Sequence, residues 1–346
     1  MGKKWKVFIS EPVDYKGTTH RWLEEQGCEV ILGRPIWQYP GWKYTDEELI
    51  SACGDVHAVM GASRERYGRK FMESVPKLMV ISKYGRGVEK IDLEAATEHG
   101  ILVANTPDTH VDSVAEHAMA LILGVAKRLS FAAEYARRGG WRDQNVETIE
   151  LSGKTIGMIG MGKVGGALVN RLRGWNMRFL AYDPYRSEKE FEEMGVTSVT
   201  LEELLRESDI ISLHVVATDE TRKMIGEGEL RLMKKSSFLI NTARGEVIDE
   251  KALVKALQEG WIAGAGLDVT DPEPPQTDNP LFKMDNVIIT PHIAGWSSKG
   301  VIRFLNKAVR NLLKALKGDL PESLVNPEAV PKWRERIKGT EREESY

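Results

Sequence analysis

The chain has 346 residues, 42% of them hydrophobic and 29% charged, with a net charge of −3. That length exceeds one typical core and predicts two domains of a soluble globular protein. The near-balanced charge, with basic residues dispersed among acidic ones, argues against nucleic acid or a membrane surface as partner. Two cysteines, Cys28 and Cys53, are too few for a disulfide framework and point to a reducing compartment. The first residues turn polar again at Ser10-Glu11, Lys6 stands where a myristoylation signal needs Ser or Thr, and the apolar run Ala118 to Ala126 is too short to span a bilayer. A cytoplasmic protein is the expectation.

In chain order, Lys6–Ile9, Val30–Leu32, Ala58–Met60, Leu78–Ile81 and Ile101–Ala104 read as short buried strands rich in Val, Ile and Leu. Between them, Asp46–Cys53 behind Thr45 and Leu93–His99 behind Asp92 read as helices that stop at Gly54 and Gly100. Asp112 or Ser113 opens a long helix toward Gly139-Gly140. A second alternation follows, with strands at Thr155–Ile159, Arg178–Tyr182, Ile210–His214, Ser237–Asn241, Ala263–Asp268 and Val287–Thr290, and helices such as Gly162–Arg173 and Asp249–Glu259. Alternation at this spacing means parallel sheets covered by helices, and six strands complete a dinucleotide-binding domain. After Ser297 one more amphipathic helix places Ile302, Leu305, Val309, Leu312, Leu313 and Leu316 on one stripe, with Gly318 past its end. A domain closed at Thr290 has no place for it, so it is expected to return to the first domain. The predicted division is 1–108 with 296–330, 109–295, and a charged, peripheral tail at 331–346.

The strand Thr155–Ile159 runs into Gly160-Met161-Gly162-Lys163-Val164-Gly165 at the start of a helix. The first glycine permits a tight turn and the second a close approach of backbone to pyrophosphate. The third lets helix and strand pack, with the helix N-terminus facing the phosphates. The next strand ends at Asp183, close to the ~20-residue offset at which a carboxylate accepts the ribose hydroxyls and repels a 2′-phosphate, so NAD is favoured over NADP. Arg186 nearby reads as a surface residue, although a phosphate could use it.

Three residues fall at or just past the ends of late strands, where open parallel sheets bind ligands: Arg244, Glu273 and His292. Reducing a 2-oxo acid needs a two-pronged clamp for the carboxylate and a proton donor for the oxygen that becomes hydroxyl. Arginine and histidine suit these tasks, and a carboxylate beside a histidine favours its charged form. The seven histidines never fall at paired intervals with Cys or acids, so no metal site is expected.

These motifs resemble the D-isomer-specific 2-hydroxyacid dehydrogenases. The likeness runs from about Ala58 to Asn326. It rests on Gly160–Gly165 with Asp183, Asn241-Thr242-Ala243-Arg244-Gly245, Gly266-Leu267-Asp268-Val269 with Glu273-Pro274, Pro291-His292, Asn105-Thr106-Pro107, Ser113-Val114-Ala115-Glu116, and Gly318-Asp319-Leu320-Pro321 with Val325-Asn326. The resemblance implies two doubly wound α/β domains, a Rossmann NAD domain inserted in a discontinuous, flavodoxin-like substrate domain. It implies His292 as acid/base, Glu273 as its partner and Arg244 as substrate clamp. Asp268 would meet the nicotinamide carboxamide, and His214, Thr242 and Ala243 join the glycine loop and Asp183 as cofactor contacts. The stretch Tyr84-Gly85-Arg86-Gly87 is similar to the family's carboxylate-holding loop, and the helix after Ser113 to its dimer arm, which implies a homodimer.

Departures from the family pattern are Val216 where Pro is frequent, Glu89 where Asp is common, and Trp296, large where many phosphoglycerate dehydrogenases carry a small residue, which would narrow the substrate pocket. Glu273 stands where formate dehydrogenases carry Gln, so formate is not the expected substrate, and the stretch after Asn326 is too short for the serine-sensing domain of many phosphoglycerate dehydrogenases, so none is expected. Ser63 and Arg64 lie where phosphoglycerate dehydrogenases grip phosphate, but Glu65 between Arg64 and Arg66 would partly cancel their field. The expected substrate is a small non-phosphorylated acid such as glyoxylate or hydroxypyruvate, with D-3-phosphoglycerate or another anionic-tailed acid as the alternative. An NAD-sensing protein akin to the C-terminal-binding-protein corepressors is the non-enzymatic one.

Overall fold

The structure, a computed structural model, describes residues 5–14, 16–35, 38, 43–62, 64–142 and 146–343. Two compact units divide the chain, residues 1–110 with 298–346, and residues 111–297.

In the first unit the elements run β1 (Trp5–Ile9), α1 (Thr18–Glu25), β2 (Cys28–Leu32), α2 (Asp46–Cys53), β3 (Ala58–Gly61), α3 (Arg69–Ser74), β4 (Val80–Lys83), α4 (Leu93–Glu98) and β5 (Leu102–Ala104). All strand pairs are parallel, in the order β2-β1-β3-β4-β5. Strand residues alternate between faces. Val7, Ile9, Ala58 and Met60 face one core, while Phe8, Val59, Ile81 and Val103 face another, built with Leu49, Phe71 and Met72. Helix α2 begins as Thr45 predicts, with its hydroxyl accepting from Glu48 N–H in a reciprocal capping box.

The second unit opens with α5 (Val111–Ala126) and α6 (Leu129–Arg137). One continuous helix was expected here. Arg128 instead takes a left-handed φ of 48° and breaks it, a bend that no glycine or proline announces. There follow β6 (Thr155–Ile159), α7 (Lys163–Leu172), β7 (Arg178–Tyr182), α8 (Glu188–Glu193), β8 (Thr197–Ser198), α9 (Leu201–Glu207), β9 (Ile210–Leu213), α10 (Glu227–Leu232), β10 (Phe238–Asn241), α11 (Glu250–Gln258), β11 (Gly264–Leu267) and β12 (Val287–Ile289). The sheet has seven strands, not six, in the order β12-β11-β10-β9-β6-β7-β8. The two-residue β8 is too short to show as a hydrophobic run. Strand order reverses beside β6, which places the strand ends of β6 and β9 at a topological switch point.

Helix α12 (Ser298–Leu316) belongs to the first unit and buries Phe304, Leu305, Ala308, Val309, Leu312, Leu313 and Leu316 in its core. Ile302, expected on that stripe, is 58% exposed, because it lies on the side of the helix opposite Phe304. Of the residues expected as a peripheral tail, those described, 331–343, lie instead in α13 (Val330–Glu343). Trp333 (1% exposed) and Ile337, four residues apart on one face, join the same core.

Candidate functional site

In the second unit the glycine loop follows β6. Gly160 has φ +90°, and a Cβ there would lie 2.9 Å from the His214 carbonyl carbon. A Cβ at Gly165 would lie 2.7 Å from Gly160 O, so helix and turn pack as the pattern requires. Gly162 caps α7 and a Cβ there would meet nothing within 4 Å, which leaves room for phosphate at a helix N-terminus free of acidic residues in its first turn. Lys163 and Val164 form that first turn. Met161 is buried and gripped through its backbone: its N–H donates to Asp183 Oδ2 at 2.9 Å and its carbonyl accepts from Arg186 Nε at 2.6 Å. Asp183 Oδ1 accepts from Tyr185 N–H. Arg186 is therefore no loose surface charge, since it is also paired with Glu190 at 2.6 Å. Two further atoms suit a bound dinucleotide. The hydroxyl of Thr242, beside Ala243, is buried without a partner among the described residues, and burial lowers the His214 imidazole to about 4, so it is neutral and bonded to Ser212 Oγ at 2.9 Å.

The chemical residues stand past the ends of β10, β11 and β12. Asn241, fully buried, accepts from Ala243 N–H and donates to the Arg244 carbonyl, which fixes the turn that presents Arg244. Arg244 is half-buried and donates to the Ala243 carbonyl. His292 Nδ1 lies 2.9 Å from Glu273 Oε2, with both side chains partly open to solvent. His292 itself is left-handed, at φ 53°. Trp296, 43% exposed, lies on the same loop. Such a pair can orient an imidazole through Nδ1 and leave Nε2 to exchange a proton.

Asp268 is 1% exposed. Its carboxylate accepts from Thr290 Oγ1 at 2.6 Å, Ile293 N–H at 2.9 Å and Ala294 N–H at 2.8 Å, and His117 Nε2 lies 3.4 Å away. Burial would raise this carboxyl, but hydrogen bonds from His117, Thr290 and the two amides outweigh it and hold it below the ordinary range. His117 and Thr290 were missed as site residues, because a lone histidine on an apolar helix carries no signal of what it faces.

In the first unit the loop after β4 is anchored through Tyr84 N–H to Gly61 O (2.9 Å) and Gly85 N–H to Thr106 Oγ1 (2.7 Å). Those two amides are spent internally. The amides of Arg86, Gly87 and Val88 have no partner among the described residues and can take an anion. Arg64 is folded into the protein: its backbone N–H donates to Glu11 Oε1 at 2.6 Å, its guanidinium donates to the Arg34 carbonyl, and its Nε is 3.9 Å from the buried Glu65 carboxyl. Ser63 lies outside the described residues. Among the described residues no group of three or more His, Cys, Asp or Glu could hold a metal ion, and no helix is long and apolar enough to cross a membrane.

Comparison with known proteins identifies the family. Residues 119–294 match the family model of the D-isomer specific 2-hydroxyacid dehydrogenase, NAD binding domain. The glyoxylate reductase of Pyrococcus horikoshii is 42% identical over 334 residues, 94% of this chain and 97% of that one. The D-3-phosphoglycerate dehydrogenase of Methanocaldococcus jannaschii is also 42% identical, over 94% of this chain and 60% of that one. Among solved structures, D-lactate dehydrogenase from Aquifex aeolicus, complexed with NAD and lactic acid, superposes with a TM-score of 0.79 at 31% identity, covering 92% and 98% of the two chains. The chain thus belongs to the D-isomer-specific 2-hydroxyacid dehydrogenases and is an NAD-dependent oxidoreductase of 2-hydroxy and 2-oxo acids.

Proposed function

We propose that this enzyme reduces a small, non-phosphorylated 2-oxo acid, of which glyoxylate and hydroxypyruvate are the models, with His292 as general acid. NAD, when reduced and bound, supplies the hydride. Lys163, Val164 and Gly165 at the N-terminus of α7 would hold its pyrophosphate, Asp183 its ribose hydroxyls, and the Thr242 hydroxyl would gain the partner it lacks. Arg244 pairs with the substrate carboxylate. His292 Nδ1–H donates to Glu273, and Nε2 gives its proton to the carbonyl oxygen as that oxygen becomes hydroxyl. Within the first unit, the amides of Arg86 and Gly87, which have no partner among the described residues, are free to take an anionic group.

The observation that carries the substrate class is Arg64. Its fork is turned to the Arg34 carbonyl and to Glu65, beside the buried Glu11, so its guanidinium is engaged within the protein rather than presented to an anionic tail. The glyoxylate reductase relatives favour the same reading. A homodimer fits α6, which buries none of its residues and exposes Leu129, with Trp141 80% exposed beyond it. A cytoplasmic location fits two free buried cysteines.

The test compares catalytic efficiency for hydroxypyruvate and phosphohydroxypyruvate, in the unaltered enzyme and in Arg64→Ala, with His292→Ala alongside. Preference for hydroxypyruvate that survives Arg64→Ala is expected, together with a loss of about 10²–10⁴-fold in His292→Ala. Preference for the phosphorylated acid that collapses in Arg64→Ala would overturn the substrate class, and full activity in His292→Ala would overturn the chemistry.

A further inference from the structure

We propose that His117 is a positioning residue for His292, acting through Thr290 and Asp268. The inference rests on His292 being the proton donor, and all four residues lie in the second unit.

The proton positions follow from the distances. Asp268 is ionised and can only accept. The Thr290 hydroxyl has one proton and lies 2.6 Å from Asp268 Oδ1, against 3.4 Å from the Leu267 carbonyl, so it donates to the carboxylate. The Thr290 oxygen is then the acceptor toward His117 Nε2 at 2.9 Å, and Nε2 carries a hydrogen. That hydrogen also faces Asp268 Oδ1 at 3.4 Å.

Downstream of this chain stands the loop that bears the acid. Asp268 takes the amides of Ile293 and Ala294, the two residues after His292. The carbonyls of Asp268 and Thr290 both accept from His292 N–H, at 2.9 and 3.0 Å. The left-handed backbone of His292, unfavourable for a residue with a Cβ, persists only because these bonds over-determine it. His117 carries this donor to Thr290 and Asp268 from α5, whose turns are locked to α7 through Arg171, paired with Asp112 and Glu116. Losing that donor leaves Asp268 buried with one hydrogen bond fewer and Thr290 with an unfilled lone pair, and the relaxation available to them moves the His292 loop.

The experiment uses His117→Ala, His117→Gln and Thr290→Val in the full-length enzyme, with steady-state kinetics and NADH binding followed by fluorescence. In His117→Ala kcat is expected to fall about tenfold, as loosened alignment of a reacting group does, while the KM for the 2-oxo acid changes less than threefold. His117→Gln, whose amide can donate at similar reach, restores most of the rate. Thr290→Val breaks the same link without touching α5 and reproduces the loss. In a His292→Ala background, His117→Ala costs nothing further. Full kcat in His117→Ala while His292→Ala is inactive would overturn the inference and leave the role of His292 standing. Equal losses in His117→Ala and His117→Gln, or additive losses in the double variant, would overturn it too. An active His292→Ala would instead remove the premise.

Discussion

Gly245, which follows Arg244, runs so close to Thr270 that an added Cβ would lie 2.0 Å from the Thr270 carbonyl oxygen and 2.1 Å from its carbon. The obstacle is backbone, which cannot swing aside. The contact joins the turn that carries Arg244 to the loop that leads into Glu273, so the two are set as one piece.

Gly245→Ala should therefore cost about 1–3 kcal/mol of stability by overpacking and lower kcat/KM by displacing Arg244. Gly228→Ala, in α10, is the control: a Cβ there meets nothing within 4 Å. It should leave activity alone and stabilise by about 0.5–1 kcal/mol. Equal behaviour of the two variants in urea denaturation and assay would contradict the close-approach argument.

Cofactor choice should depend on Asp183 and, less obviously, on Glu190. Asp183→Ser removes the like charge opposing a 2′-phosphate, but Arg186 stays tied to Glu190 and the Met161 carbonyl. We expect a strong NADH preference in the unaltered enzyme, a partial relaxation in Asp183→Ser, and a larger one in Asp183→Ser with Glu190→Gln, which releases Arg186 toward phosphate. The check is the ratio of catalytic efficiencies with NADH and NADPH. Equal ratios in the single and double variants would show that Glu190 restrains nothing.

Glu65 is 2% exposed, and burial, reinforced by the nearby Glu11 charge, pushes its carboxyl up from the usual 4.5 to about 7. Between those values the folded state binds more protons than the unfolded chain, so this group's contribution to stability declines as pH rises through the window. The full cost, reached above pH 7, is about 3 kcal/mol at most. Glu65→Gln should be more stable than the unaltered protein at pH 8 and show no advantage at pH 4.5. Unfolding curves whose separation does not change with pH would contradict this.

Trp333 tests the C-terminal helix. Trp333→Ala should cost about 3–5 kcal/mol, whereas exposed Arg334→Ala next to it should cost little. Indistinguishable midpoints would mean that α13 contributes no packing.

What the sequence discloses, and what it withholds, follows from the range of each interaction. Strands such as Thr155–Ile159, buried along its whole length, are visible because burial on both faces favours a nearly continuous apolar run. The glycine loop and the Arg244, Glu273 and His292 triplet are visible because each motif is contiguous. Helices α8 and α9 carried signals in Ser187 with Glu190 and Thr200 with Glu203, two capping boxes that short helices make easy to pass over. No local signal exists for the turn at Arg128, for the burial of Trp333 among charged neighbours, or for His117 reaching Thr290 across 173 positions. Those depend on which surfaces the chain later brings together.

The first unit is interrupted, and the interruption has a consequence for biosynthesis. Its sheet is made by residue 104, but the Phe304, Leu312 and Trp333 side chains that cover one face of it come from α12 and α13. At about 5–20 residues per second, the ribosome needs roughly 10–40 s to travel from β5 to the end of α12. Throughout that interval the 111–297 unit can emerge and fold whole, while the nascent sheet before it waits with an apolar face open to water. Chaperone dependence, and any tendency to aggregate on rapid overexpression, should therefore concentrate in the N-terminal sheet, and slowing translation after residue 110 should lengthen the exposure.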